Sequence, residues 1–563
     1  MREKGGIVLK KKILSTLLAG AMVLSMAACG NSADNTANNS STTGSTSQGT
    51  TSSDAGQASD TQTDSFTYPM DAITLTVNGT VDGGTDYYDD SQHPAWAKDL
   101  YYHKVIKEKT GVTLQDVGGA ANATTMSDGF LLMLAGGELP DIVIAPWTAY
   151  TGGAAAAIDD GYVLDLMQYS EYMPNLMNWL DENPDVAAQV LTSDGRLAFA
   201  PFVKANPIVG MGMVIRKDWL DALNLEEPAT VDELHDVLVA FKENYNCKAP
   251  LTFESRWLFQ QGASNPLSSA WLTTYQEYII DGKVQFGPLT EEYKEFIQTM
   301  ADWYKEGLLD PDFASVDKST VQAKFSTGEA GVSLQQINNI ENCISSNEGT
   351  DYAVVALSSL VMNKGDEPQL SQQSIQKFDG GFGYAVSTTC SNVEAACRYL
   401  DWAFSEEGMM TMNYGVEGTT YEVKDGKVEL TDLVMHNEET PSSNSARNEI
   451  AWVQNRVGVS LDIALGYKEE SRNWIDVWTA HMDKYVLPTV QYTEEQQNTI
   501  SKKWGDIDDL CQEKILKYVI GSEDINATWD SFVDSIKQMG IEDVLAAKQE
   551  AYDAYLAKVE SLK

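Results

Sequence analysis

The sequence predicts an α/β fold, and three observations carry that prediction. Strand-like and helix-like segments alternate along the early folded part of the chain. One short run, Leu139-Pro140-Asp141-Ile142-Val143-Ile144-Ala145, is largely apolar, as a parallel strand covered on both faces requires. The chain has 563 residues, enough for about two to four domains, or two lobes with long insertions.

Each element has a local reason. Ala72-Ile73-Thr74-Leu75-Thr76-Val77 alternates and is β-rich, so it reads as the first strand. A polar, Gly-rich loop follows over Asn78 to Asp90. A helix is expected over Ala95 to Lys109, stopped by Thr110-Gly111. Val112-Thr113-Leu114 restarts a strand, and Phe130 to Ala135 reads as a helix closed by Gly136-Gly137. Thr230 with Glu233 forms a capping box ahead of the stripe Val231, Leu234, Leu238, Phe241 and Tyr245. Tyr293, Phe296, Ile297, Met300, Trp303 and Tyr304 make a second stripe, ended by Gly307. Ser391 with Glu394 is expected to cap a third helix, carrying Ala396, Leu400 and Phe404. Asp194-Gly195, Asp281-Gly282 and Asp425-Gly426 read as tight turns between short strands. Beyond Ser443 the chain reads as mostly helical, closing with an Ala/Lys/Glu-rich helix over about Ile541 to Lys563.

Composition excludes several classes. Hydrophobic residues make up 43% and aromatics 9%, which rules out whole-chain disorder. The formal net charge is −43, so a phosphate backbone would be repelled and nucleic-acid binding is not expected. Mean hydropathy is −0.28 and the one long apolar run is at the N-terminus, which excludes a polytopic membrane protein.

That run belongs to an address. Residues 1–28 read as a signal peptide, with a basic head (Arg2, Lys4, Lys10, Lys11, Lys12) and an uncharged stretch from Ile13 to Ala28. It ends Met26-Ala27-Ala28-Cys29-Gly30, which resembles a bacterial lipobox with Cys29 as the lipidated residue. Acylation there would hold the protein to the outer face of the cell membrane while the folded part stays in water. Asn31 to Ser65 contains only Asn, Ser, Ala, Asp, Thr, Gly and Gln, so 29–65 reads as an anchored, flexible tether. Cys247, Cys343, Cys390, Cys397 and Cys511 make no C-x-x-C pair. They read as buried free thiols, with one bridge left open in an oxidising compartment.

Several segments appear in an order that has a family resemblance. Leu139-Pro140-Asp141-Ile142, Asp194-Gly195-Arg196-Leu197-Ala198-Phe199-Ala200-Pro201 and Val214-Ile215-Arg216-Lys217-Asp218-Trp219-Leu220 come first. Asp302 to Pro311, Phe325 to Gly331, Tyr399 to Ser405 and Asn413 to Gly418 follow. Together they resemble the lipoprotein branch of the family 1 extracellular solute-binding proteins of ABC transporters, mainly the sugar-binding ones of Gram-positive bacteria. The resemblance implies a periplasmic-binding-protein-like fold, with two α/β lobes joined by a multi-strand hinge and a ligand cleft between them. It places the first crossover at Ala200 to Met213, the second near Asp379 to Tyr384 and a third around 430–445. The first lobe is then 66–206 plus 379–435, and the second 207–378 plus 436–563.

Sugar rings present an apolar face that Trp or Tyr can stack against while polar neighbours bond the hydroxyls. Of 13 Trp, Trp179, Trp219, Trp303, Trp402 and Trp529 sit in helical contexts and read as core. Trp147 follows the Ile142 to Ala145 strand at a carboxyl-terminal edge, where open α/β sheets bind ligands. Trp96 and Asp86 follow the first strand and its loop, although Trp96 has the alternative of packing the first helix. Gln335 and Gln336 follow the strand Ala330 to Leu334. The resemblance adds Trp257 with Glu254 as a platform of the second lobe. Tyr384 at the hinge, Glu417 beside Gly418 and Trp474 complete the candidates, with Glu417 alternatively capping its own turn.

Enzyme signatures are scarce: H-E-x-x-H, G-x-S-x-G, G-x-x-x-x-G-K-[ST] and G-x-G-x-x-G are all absent. The acidic loop Asp82 to Asp90 has the oxygen ligands to hold Ca²⁺ as an alternative, but it lacks the full EF-hand pattern and reads better as solvated. The expectation is a non-enzymatic, monomeric receptor without cofactor or metal. It would capture a carbohydrate, of oligosaccharide length, and deliver it to ABC transporter permease subunits. The alternatives are a surface glycan-active enzyme and a glycan- or peptide-binding receptor that serves no transporter.

Overall fold

The computed structural model describes residues 66–78, 88–117, 126–137, 139–147, 150, 152–259, 266–369, 376–378, 380, 383–451, 457–481 and 485–563. The signal, Cys29, the tether and Asp86 lie outside these. Phe66–Lys563 form one compact unit. No helix among the described residues is long and apolar enough to cross a membrane.

The strands, in chain order, are β1 (Ile73–Val77), β2 (Val112–Asp116), β3 (Ile142–Ala145), β4 (Ala200–Lys204), β5 (Met211–Arg216), β6 (Leu251–Thr252) and β7 (Glu277–Ile280). β8 (Lys283–Phe286), β9 (Val332–Gln336), β10 (Val354–Ala356), β11 (Gly383–Val386), β12 (Tyr421–Lys424), β13 (Lys427–Leu430) and β14 (Gly458–Ser460) follow. Two sheets take most of them. The first has the order β14-β4-β11-β3-β1-β2 and the second β10-β5-β9-β6.

In the first sheet β1 runs parallel to β2 and to β3, while β11 runs antiparallel to β3 and β4. Every residue of β3 is buried, as its apolar run requires. Two side chains lock this sheet. Asn78 mimics one more rung between β1 and β3, donating to the Ile144 carbonyl at 2.7 Å and accepting from its N–H at 2.6 Å. Asp141 accepts from the Thr76 N–H and hydroxyl, both at 2.7 Å, and from the Ser391 N–H at 2.6 Å. Burial opposes its ionisation, but these bonds outweigh it and hold its pKa at about 2. The helix Val393–Trp402 is capped by Asn392, whose side-chain oxygen accepts from the Ala395 N–H, and not by the expected Ser391.

The second sheet is built on β5, antiparallel to both β9 and β10, with β6 parallel to β9. Its core collects the stripes foreseen on the helices Val231–Asn244 and Glu291–Glu306, and the Thr230–Glu233 capping box forms. Trp219, Trp303, Trp402 and Trp529 are buried and Trp179 packs partly buried on the first core. The hairpins β7–β8 and β12–β13 turn on Asp281-Gly282 and Asp425-Gly426, all four with positive φ, the geometry that matches strand twist. Asp194-Gly195 also turns, but between irregular segments: Thr192 and Arg196 close it by backbone bonding and no strand flanks it.

The chain leaves the first sheet at the end of β4 and enters the second at β5, so one passage is 205–210. It returns between β10 and β11, with the Lys204 N–H bonded to the Lys377 carbonyl at 2.8 Å. The expected third passage at 430–445 is instead occupied by the β12–β13 hairpin and the helices Asp432–Met435 and Ser443–Ile450. The latter helix packs with Trp96 and Leu100 in a small core, and β14 then pairs parallel with β4. Residues 436–451 and 457–460 therefore stay with the first sheet, and the chain crosses at 461–468 to the helix Glu469–Thr479, which packs behind β5 and β10. The helices Glu494–Val519, Ile525–Met539 and Ile541–Leu562 close the second core.

Candidate functional site

Beside the first passage, the carboxyl edge of the second sheet opens into a small concavity with about 10 Å³ of accessible space, room for about one water-sized group. β9 ends there with Gln335 and Gln336, whose backbones pair with Gly212 and Met211 at the start of β5. The parallel neighbour β6 ends beside it and leads to Glu254, Arg256 and Trp257. Both strands thus present their carboxyl ends, the edge at which open α/β sheets hold ligands. The remaining wall comes from Lys318, at the first turn of the helix Lys318–Thr327, and Asn339, in the first turn of the helix Ile337–Ser346.

Three neighbouring side chains form a fixed unit. The Trp257 indole N–H donates to Glu254 Oε2 at 3.2 Å, and the Arg256 guanidinium donates to the same oxygen at 3.0 Å. Arg256 also lies over the Trp257 ring, 4.5 Å from its centre. On the opposite wall Lys318 Nζ donates to Gln336 Oε1 at 2.8 Å. Gln335 also lines the concavity and is 3% exposed, with neither its amide nitrogen nor its amide oxygen hydrogen-bonded. A buried amide without partners costs about 1–3 kcal/mol in an apo structure. Its place in the wall of a pocket is where a ligand would answer it.

Four of the candidates from sequence therefore meet: Trp257, Glu254, Gln335 and Gln336. The others do not join them. Trp147 is 2% exposed in the first core, against Phe130 and Phe199, with its indole N–H donated to the Gly383 carbonyl at 3.0 Å. It stands at the expected strand end but turns inward, so it has no open face. Tyr384 lies within β11 and is likewise buried. Trp96 packs against the helix Ser443–Ile450, its N–H donated to Thr440 Oγ1 at 3.1 Å. Trp474 is buried behind β5, beside Trp478. Glu417 is exposed on the turn that bridges to Tyr421, in keeping with its alternative as a turn residue.

Sequence reading missed Arg256, Lys318 and Asn339. Arg256 was legible, standing between two named residues in one turn. Lys318 was not, because a distant helix delivers it. Among the described residues no group of His, Cys, Asp and Glu is arranged to hold a metal ion.

Over 426 residues the chain is 25% identical to the fructooligosaccharide ABC transporter substrate-binding protein FusA of Streptococcus pneumoniae, covering 69% of this chain and 75% of that one. It is 26% identical over 345 residues to the polygalacturonan/rhamnogalacturonan-binding protein YtcQ of Bacillus subtilis, covering 58% and 66%. The crystal structure of the alginate-binding protein AlgQ2 superposes with a TM-score of 0.65 at 25% identity, over 86% of this chain and 98% of that one. The profile of the bacterial extracellular solute-binding proteins matches residues 46–410, and the chain belongs to that family.

Proposed function

We propose that this protein captures a carbohydrate, of oligosaccharide length, outside the cell and delivers it to the permease of an ABC transporter. The observation that carries this reading is the unanswered Gln335 amide in a pocket at a sheet edge beside the inter-lobe passage. The sugar-polymer ligands in the names of FusA, YtcQ and AlgQ2 support it. A ligand held on the second lobe and touched by the first on closure supplies the differential affinity that delivery needs.

In this reading the protein is a monomer, anchored through a diacylated Cys29, with residues 31–65 as its tether. It binds and does not cleave. Glycoside hydrolysis requires two carboxylates across the scissile bond, whereas Glu254, the carboxylate lining this pocket among the described residues, is tied to Arg256 and Trp257.

A thermal-shift screen against neutral and acidic oligosaccharides, with peptides included, tests the reading. A ligand at a hundred times its Kd adds about 2.7 kcal/mol of stability. Trp257→Ala is expected to weaken the saccharide that shifts the protein by about tenfold. A shift with peptides and none with any saccharide would overturn the assignment.

A further inference from the structure

The two lobes are joined by more than the passages of the chain. The helix Ile541–Leu562 begins in the second core, where Ile541 and Val544 are buried. It runs antiparallel to the helix Glu494–Val519, with Gln496 bonded to Glu550 and Lys503 to Asp543. Gln549 ties its middle to the β7–β8 hairpin, accepting from the Val284 N–H at 2.9 Å and donating to the Gly282 carbonyl at 3.0 Å. At about 1.5 Å per residue the helix is about 33 Å long, and its far end lies against the first lobe. There it meets the helix Pro184–Val190, which packs in the first core through Val186, Ala187 and Val190.

The contact at that end is polar. Lys558 Nζ donates to the Leu191 and Thr192 carbonyls at 2.6 and 2.8 Å, just past the last residue of the helix Pro184–Val190. Carbonyls at a helix C-terminus lack intrahelical partners and carry partial negative charge, so a cation suits them. No carboxylate pairs with Lys558 among the described residues. Burial pulls its pKa down to about 8, although the Asp194 charge acts the other way. Hydrogen bonds thus hold the amine in place while its desolvation works against the contact, the balance of a joint that can open and close. The antiparallel helix reaches the same lobe at its own start, where the Tyr492 carbonyl and Glu494 lie against Gly153 and Gly152. The concavity at the end of β9 is lined by residues between Glu254 and Asn339, all from the second lobe. In this arrangement the first lobe therefore contributes nothing to its wall among the described residues.

We propose that the helix Ile541–Leu562 is a brace across the two lobes and that Lys558 is its latch. Docked on the end of the helix Pro184–Val190, the latch holds the lobe angle of this structure, and it lets go when the first lobe swings over the cargo. A binding-competent arrangement that is populated only in part weakens the apparent affinity by that fraction, so the latch also sets how tightly cargo is held. The proposal depends on the two-lobe architecture and not on the cargo being a saccharide.

The test is the distribution of distances between the lobes, read by double electron–electron resonance on the full-length protein without ligand. A spin-labelled noncanonical residue replaces the exposed Glu171 in the first lobe and the exposed Glu348 in the second, which leaves the native cysteines alone. Lys558→Met keeps the aliphatic stem and removes the charge and its donors. In that variant the population outside the main distance peak is expected to rise about tenfold relative to the peak, the worth of one charge-assisted hydrogen bond. A chain ending at Leu556 loses the latch and no buried residue, and is expected to show the same rise. An unchanged distribution in Lys558→Met, whether or not its melting temperature falls, would overturn the latch and leave Lys558 a packing contact. If Lys558→Met gives no cooperative melt, the shortened chain decides in the same way. Neither readout involves a ligand, so failure here is separate from failure of the thermal-shift screen.

Discussion

Gln335 is a side chain whose present surroundings suit it badly. It is buried at a sheet edge with both ends of its amide unbonded. Replacing it with Leu keeps the volume and removes the desolvated polar group, so Gln335→Leu is expected to raise the stability of the unliganded protein by about 1–3 kcal/mol. The same change should abolish or sharply weaken ligand binding, since the group that answers the ligand is gone. Thermal melts with and without saccharide check both halves; a loss of stability would mean the amide is already satisfied. Position along a strand made Gln335 legible in the sequence, because a polar pair straight after an apolar strand marks a sheet edge. The same logic misplaced Trp147. A strand end says where a residue stands but not whether its side chain turns to the cleft or to the core, and Phe130 and Phe199 supplied an inward slot.

At the scale of elements, two carboxylates join segments far apart in sequence and titrate in opposite senses. Asp401, on the helix Val393–Trp402, accepts from the Leu176 N–H at 2.9 Å and the Asn175 amide at 2.6 Å, at the start of the helix Pro174–Glu182. Burial outweighs those bonds and raises its pKa to about 6. The folded state therefore holds a proton there that the unfolded chain has released, and stability gains as pH falls from about 7 towards 4. Asp141, held at about 2, behaves in reverse. Its contribution is present above about pH 4 and is lost as pH falls towards 2. Melting temperature followed as pH is lowered from 7 is expected to rise and then fall; Asp401→Asn should flatten the rise and Asp141→Asn the fall. If neither variant alters its limb, these groups are not the ones titrating. Capping boxes, stripes and Asp-Gly hairpin turns were legible because each is specified within a few residues. The Ser391 cap was misread by one residue, because the adjacent Asn392 is an equally good N-cap and takes that position.

At the scale of the whole molecule, the two lobes meet in a set of amides around the buried Gln189, beside the passages. Gln189 donates to the Thr489 carbonyl at 3.0 Å and to Gln376 Oε1 at 3.2 Å, and its own carbonyl accepts from Gln491 at 2.6 Å. Lys558, on the last helix, reaches the Leu191 and Thr192 carbonyls at 2.6 and 2.8 Å. Gln189→Ala should cost about 1–3 kcal/mol and broaden the distribution of distances between spin labels placed on the two lobes; an unchanged distribution would exclude this cluster from setting the lobe angle. The chain passes between the two sheets at 205–210 and again before β11, and the later passage at 461–468 is hard to read because a strand as short as β14 leaves almost no trace in sequence. The five cysteines offer a different use of the same architecture. Cys397 is buried in the first core, Cys247 and Cys511 in the second and Cys343 behind β5, while Cys390 is half-buried. Burial pushes Cys247, Cys390 and Cys397 up to about 12 and Cys343 to about 11, so the reactive thiolate is scarce until the chain opens. A brief pulse of alkylating reagent, read peptide by peptide, thus turns the native thiols into two stopwatches, one for each lobe, and tells which half of the receptor lets go first.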